Sequence, residues 1–439
     1  MTLRQLDIPF RKHVLGNGLQ VVIHEDHDCP IVAVNVWYHV GSKNEVPGRT
    51  GFAHLFEHLM FEGSAHHDSR YFEPIQQAGG TLNGSTNTDR TNYWEMVPSN
   101  ALDLALWMES DRMGHLLPAL TEQKFANQRD VVLNERRENY ENRPYGMASL
   151  AVIDALFPAD HPYHWSTIGS PDDLRAASVD DVRAFFRRYY HPANASIVIA
   201  GDIDADQALD RVEAHFGDIP TGEAVGPVLR PPAHAQPTRR VMEDRVELPR
   251  IYLGWLTPAV HADGDAELDL LGDVLAGGKA SRLYRALVYE QRIATEVAAS
   301  QHSQELGSFF QVVATAVPGV SLGALEAAIR HELARIREEA LDADELARSL
   351  AMTESAFVSR LQSVGGFGGK SDQLNSYNVF LGDPGYFSQD LDRYRRADGG
   401  AIQAAARAWL DDGWCGTLSV VPPGAGGLAA PDSVPVVIT

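Results

Sequence analysis

His54, Glu57 and His58 stand in the order His-Leu-Phe-Glu-His. On a helix, positions i, i+3 and i+4 share one face, since each residue turns about 100°. Two imidazoles one turn apart can grip a single metal ion. A carboxylate between them can take a proton from water at that ion. The order reverses His-Glu-x-x-His and has the form of an inverted zinc motif, with Glu57 as candidate general base. The competing reading is two ordinary histidines on a half-apolar helix.

A catalytic zinc needs a third protein ligand and an open position for water. The segment RDVVLNERRENYENRP offers one in Glu135, separated from His58 by 76 residues (59–134). Glu138 and Glu141 lie one and nearly two turns further on, and spacing alone leaves them open.

The flanking sequence supplies elements to hold these groups. GFAHLFEHLMFEG places Phe52, Leu55, Phe56, Leu59 and Met60 on one helical side. Before it, the GNG turn at 16–18, LQVVIHE and IVAVNVWYHV predict a hairpin over 16–40. After it come a short helix stopped by two glycines and a polar strand pair, TLNGSTNTDRTNYWEMVP. A helix capped by Ser99 or Asn100 follows, then a long helix ending before Pro144. Residues 195–203 read as another strand.

The second half repeats this order. PRIYLGWLTP parallels the second strand, AELDLLGDVLAGG the motif helix, and VSLGALEAAIRHELARI the helix after the polar pair. A strand–helix–strand–helix unit therefore occurs twice. This predicts an α+β chain of two homologous domains, each a mostly antiparallel sheet covered by helices. The expected bounds are 1–220 for the domain with the motif, 221–240 for a Pro/Gly/Ala-rich linker, and 241–439 for the repeat. Aligned so, Asp269, Gly272 and Asp273 stand where the first half has His54, Glu57 and His58, so the repeat lacks the chemistry.

The chain has 439 residues, 44% of them hydrophobic and 22% charged, enough for two cores rather than one. A net charge of −22 argues against nucleic acid and against anionic membranes as partners. Two cysteines far apart, Cys29 and Cys415, give no disulfide framework. No apolar run has the length of a signal peptide or a membrane span, which reads as cytoplasmic; a removed leader would make it periplasmic. VGGFGGKSD at 364–372 lacks the spacing of a phosphate loop and reads as a hinge or turn. His66 and His67 read as surface loop residues.

TGFAHLFEHLMFEGS, GGTLNGSTNTDRTNYWEMVP and RDVVLNERRENYENRPYG together resemble the M16 peptidases, which include pitrilysin, insulin-degrading enzyme and the mitochondrial processing peptidase. SRLY at 281–284 and LGDPGYF at 381–387 extend the resemblance over nearly the whole chain. The resemblance implies the LuxS/MPP-like metallohydrolase fold and one Zn2+ per chain. The ligands would be His54, His58 and Glu135, selected over Glu138 and Glu141 by the family spacing, with Glu57 as general base. It implies an edge strand at GGTLNGST that pairs with an extended peptide, with Asn83 and Gly84 touching its backbone.

Two departures matter. Gln128 stands seven residues before Glu135, where many relatives have glutamate, so an outer contact there loses its charge. Single-chain relatives carry an Arg and a Tyr seven residues apart in the half without zinc; here those positions are Val288 and Thr295. The length resembles the short subgroup in which two chains form one chamber. The expectation is a zinc endopeptidase for oligopeptides or unfolded segments, the catalytic subunit of a heterodimer whose homologous partner lacks the zinc motif and supplies Arg and Tyr. The rival expectation is a non-catalytic structural or peptide-trapping subunit.

Overall fold

The computed structural model describes residues 6–68, 70–229 and 234–438. Among the described residues, twelve strands form two six-stranded sheets. The first contains β1 (Arg11–Val14), β2 (Gln20–Glu25), β3 (Ile31–Tyr38), β4 (Thr81–Thr86), β5 (Thr91–Pro98) and β6 (Ala195–Gly201). Their spatial order is β1-β2-β6-β3-β5-β4, with β2 and β6 parallel and the other neighbours antiparallel. The second contains β7 (Thr238–Glu243), β8 (Arg250–Thr257), β9 (Ala294–His302), β10 (Ser308–Ala316), β11 (Gly416–Val421) and β12 (Val434–Pro435). Its order is β12-β7-β11-β8-β10-β9. The run β7-β11-β8-β10-β9 repeats β2-β6-β3-β5-β4, so the duplicated sequence pattern is a duplicated topology.

The predicted hairpin over 16–40 is not formed between β2 and β3. β1 and β2 make the antiparallel pair across the GNG turn, and β6 lies between β2 and β3. All seven residues of β6 are buried, which suits an inner strand covered on both faces better than an edge. Residues 26–30 carry the chain past it, a crossing of about 10 Å at ~4.8 Å per strand.

The helices are α1 (Phe52–Leu59), α2 (Phe72–Gln77), α3 (Leu102–Ala119), α4 (Glu122–Arg136), α5 (Ala148–Leu156), α6 (Pro171–Ala176), α7 (Val179–Tyr189) and α8 (Ala205–Phe216). In the second half they are α9 (Asp265–Ala276), α10 (Leu322–Glu338), α11 (Ala343–Arg360), α12 (Lys370–Leu381), α13 (Phe387–Arg396) and α14 (Gly399–Trp409). Neither Ser99 nor Asn100 caps α3: both lie in a 3-10 turn, and Ala101 holds the cap position without a side-chain bond. The long helix expected to run to Pro144 stops at Arg136 and continues as a wider turn over Arg137–Glu141. Among the described residues no helix is long and apolar enough to cross a membrane.

Two compact units emerge, and they interleave along the chain. One takes residues 1–134, 166–228 and 356–389; the other takes 135–165, 229–355 and 390–439. The expected sequential bounds of 1–220, 221–240 and 241–439 differ from this because each unit includes a helix from the other half of the sequence. In the first unit α12 lies on the sheet: Leu374 and Tyr377 pack with Val22, Val198 and Ala200. Asn375 Nδ2 donates to Asn35 O at 2.9 Å and Ser196 O at 3.2 Å. In the second unit Leu156 of α5 fills the space left by Gly254 and Gly416. Of the expected linker, β7 takes the end, and 230–233 lie outside the described residues.

Candidate metal centre and active site

Eight residues are too few for a helix to hold itself in water, so tertiary contacts and caps must fix α1. Leu55 and Phe56 are wholly buried, and Phe56 packs against Phe185, Phe186 and Tyr190. At the N-terminus Gly51 adopts φ 88°, a conformation that favours glycine. The carboxylate of Glu45 accepts from Gly51 N at 2.9 Å and Ala53 N at 2.8 Å, satisfying donors that the helix leaves open. His54, Glu57 and His58 are half-buried on the opposite face. The two imidazole rings are 4.9 Å apart, edge to face.

Complete burial pushes the Glu45 carboxyl up to about 8, outweighing the N–H groups of Ala53, Gly51 and Phe52 that favour its anion. A carboxyl raised on folding adds stability that is full below its ordinary 4.5 and is lost as pH rises toward about 8. Thermal melts of the wild-type chain should therefore lose stability across that window. Glu45→Gln keeps one acceptor and cannot ionise, and its profile should be flatter there. An unchanged slope would show that Glu45 does not titrate in the window.

α4 brings up the third donor. Phe125, Val132 and Leu133 are buried, while Gln128 and Glu135, two turns apart, share a half-buried face. Each of His54, His58 and Glu135 offers one ligand atom within 4.8 Å of the others. The division between the compact units falls inside α4, just before Glu135. Glu138 is exposed, and Glu141 accepts from Arg136 Nε at 3.1 Å. Two imidazoles and one carboxylate are a donor set suited to a catalytic zinc, so these residues fit the ion. Gln128 Nε2 donates to Glu62 Oε1 at 2.7 Å. The charge missing at position 128 is thus present on its neighbour, in the loop that follows α1.

β4 is the last strand of its sheet and pairs only with β5 among the described strands. Asn83 is exposed on it, and its Oδ1 accepts from Gly84 N at 2.8 Å. Gly84 is buried; a Cβ there would lie 3.0 Å from Tyr93 and 3.1 Å from Phe61.

Three residues at this centre belong to no motif or period in the sequence. Glu45 is one. Arg90, in the β4–β5 turn, is held by Ser85 O at 2.9 Å and Ser85 Oγ at 2.7 Å. Burial lowers its pKa, opposed by the charges of Asp372, Glu57 and Asp89. Asp372 accepts from Trp37 Nε1 at 2.9 Å, Asn92 Nδ2 at 3.0 Å and Gly368 N at 2.8 Å. The glycine-rich turn at 364–369 is thereby tied down rather than free: Gly365 sits against Ala33 and Met96, and Phe367 meets Trp94 edge to face.

The equivalent face of α9 is filled differently. Asp269 accepts from Tyr394 OH at 2.8 Å, and Gly272 lies where a Cβ would come within 3.2 Å of Ala299 O. Val288 packs against the core of its unit, and Thr295 Oγ1 donates to Thr315 O at 3.3 Å.

Comparison with known proteins sets this arrangement in context. Residues 20–158 match the family described as Insulinase (Peptidase family M16), and residues 176–352 match the Peptidase M16 inactive domain. Zinc protease PqqE of Helicobacter pylori is 31% identical over 386 residues, 86% of each chain. The uncharacterized zinc protease YmxG of Bacillus subtilis is 25% identical over 355 residues, 80% of this chain and 85% of that one. A protease from Helicobacter pylori of solved structure superposes with TM-score 0.86 at 27% identity, over 95% of this chain and all (100%) of that one. A peptidase M16 inactive domain from Pseudomonas fluorescens shares the fold, with TM-score 0.83 at 17% identity over 98% of this chain and 100% of its own. Two sheet-and-helix domains of one topology, with relatives named zinc proteases, define the class. Within it, this chain belongs to peptidase family M16.

Proposed function

We propose that this chain is a zinc-dependent endopeptidase for extended peptides and the catalytic subunit of a heterodimer. The observation that carries the reading is the convergence of His54, His58 and Glu135, with Glu57 on the same helical face. Zinc, held by those three residues, would supply Lewis-acid polarisation and acidify water at neutral pH. Glu57 takes the proton of the attacking water and returns it to the leaving amine. Asn83 and Gly84 on the open edge of β4 lay the peptide out by strand addition, which only an extended chain can satisfy. Gln128 acts through Glu62, bracing the loop behind α1 against the helix that carries Glu135. The chain's missing Arg and Tyr come from a homologous partner without the motif.

The test combines elemental analysis with cleavage of an unstructured peptide. Purified protein should hold zinc, cleave the peptide, lose activity to a chelator and recover it with zinc. A chain that retains the peptide intact under all conditions would instead be a trapping or structural subunit.

A further inference from the structure

A second set of donors lies in the same unit, away from the motif. α3 contains Gly114 and Pro118, and at His115 its backbone leaves the helix, at φ −133° and ψ 20°. The reason is local. Pro118 has no N–H to give to the carbonyl four residues back, that of Gly114, and its ring crowds that carbonyl. The kink is anchored from outside, since Ala65 N donates to His115 O at 3.0 Å. Asp111 lies one turn before His115 and is buried, at 4% exposure, yet its carboxylate reaches the surface loop at 64–66. It accepts from Ser64 Oγ, from His66 N at 3.2 Å and from His66 Nδ1 at 2.5 Å. The His66 and His115 rings stand 4.9 Å apart, edge to face.

We infer that His66, Asp111 and His115 form a second site for a divalent ion of the zinc type. One donor atom from each lies within 4.8 Å of the others. The set has the same chemistry as the first, two imidazoles and a carboxylate, which suits zinc and its borderline neighbours better than magnesium or calcium. Burial opposes ionisation of Asp111, but hydrogen bonds from Ser64 and His66 outweigh it and hold its carboxyl below the usual range. The two exposed histidines leave the remaining coordination positions to water. An ion held by both side chains would take the place of the hydrogen bond between His66 and Asp111.

The placement gives such an ion a structural effect. The loop at 60–68 leads out of α1 and is already tied to α4 by Gln128–Glu62 and by Lys124 with Asp68, a contact of 2.5 Å. Bonds to Asp111 and His115 already join the loop to α3, and a metal at His66 would reinforce that tie.

The experiment uses the full chain with His58→Ala, which removes a donor of the first set and so separates the two sites. After dialysis against zinc, elemental analysis should find one equivalent bound. Adding either His66→Ala or His115→Ala should abolish it. With Co2+ in place of zinc, the same protein should show visible d–d absorption that disappears in both double variants. The otherwise wild-type chain gives a parallel reading: His115→Ala should release one equivalent and leave peptide cleavage in place. Finding no metal on the His58→Ala chain, or the same amount on both double variants, would mean that His66 and Asp111 form an ion pair and nothing more.

Discussion

A Glu57→Gln chain is expected to keep its metal and to lose turnover by about 10²–10⁴-fold, the usual worth of a positioned proton carrier. The geometry separates the two effects. Glu57 shares a face with His54 and His58, but the three donors that converge are His54, His58 and Glu135. An amide preserves the shape and the packing of α1 while removing the ability to accept a proton. His54→Ala removes a donor, so it should lose metal and activity together. The Arg90 guanidinium, largely removed from water, lies within the electrostatic reach of Glu57. Charge interactions strengthen as water is excluded. Metal content measured beside kcat for both variants decides the matter. A Glu57→Gln enzyme that turns over normally sinks the assignment, and one that loses its metal shows that Glu57 acts on the ion rather than on the proton.

The parts legible in the sequence were those with local periodicity. α1 announces itself through Leu55, Phe56 and Leu59 on one side and its polar trio on the other, and a pattern of one period needs no distant partner. The pairing of β4 with β5 was readable because strands joined by a short turn tend to be neighbours. What stayed hidden was long-range. Nothing between Gln20 and Tyr38 states that a strand from residue 195 will enter between β2 and β3. Asn375 and Leu374 look like ordinary helix residues until they are found on the first sheet. The kink at His115 is an intermediate case: Gly114 and Pro118 foretell a break, but Asp111 and His66 become partners only through the loop that returns to it. Glu45 belongs to no motif, yet it caps α1 by accepting from amides six and eight residues further on.

Purified alone, the chain is expected to cleave peptides about 10²–10³-fold more slowly than when combined with a homologous chain that carries the Arg and Tyr, the range typical for loss of a donor to the developing oxyanion. Val288 and Thr295 occupy the two positions, and neither offers a guanidinium or a phenol. Val288 is committed to the core, and Thr295 already gives its hydroxyl to Thr315 O. Nearby side chains do not compensate in the expected register: Tyr289 is 75% exposed, and Arg292 sits at φ 55° just beyond the turn that ends at Glu290. At these two positions the second half therefore carries neither a guanidinium nor a phenol. Zinc content should be the same with and without the partner, because His54, His58 and Glu135 all belong to this chain. The defect should appear chiefly in kcat, since a donor that strengthens only as the oxyanion forms adds little to ground-state binding. Replacing the partner's Arg or Tyr should return the mixture to the rate of the isolated chain. A monomer with full activity would place the missing donors elsewhere in this chain, and Arg90, already beside Glu57 in its electrostatic field, would be the first to replace.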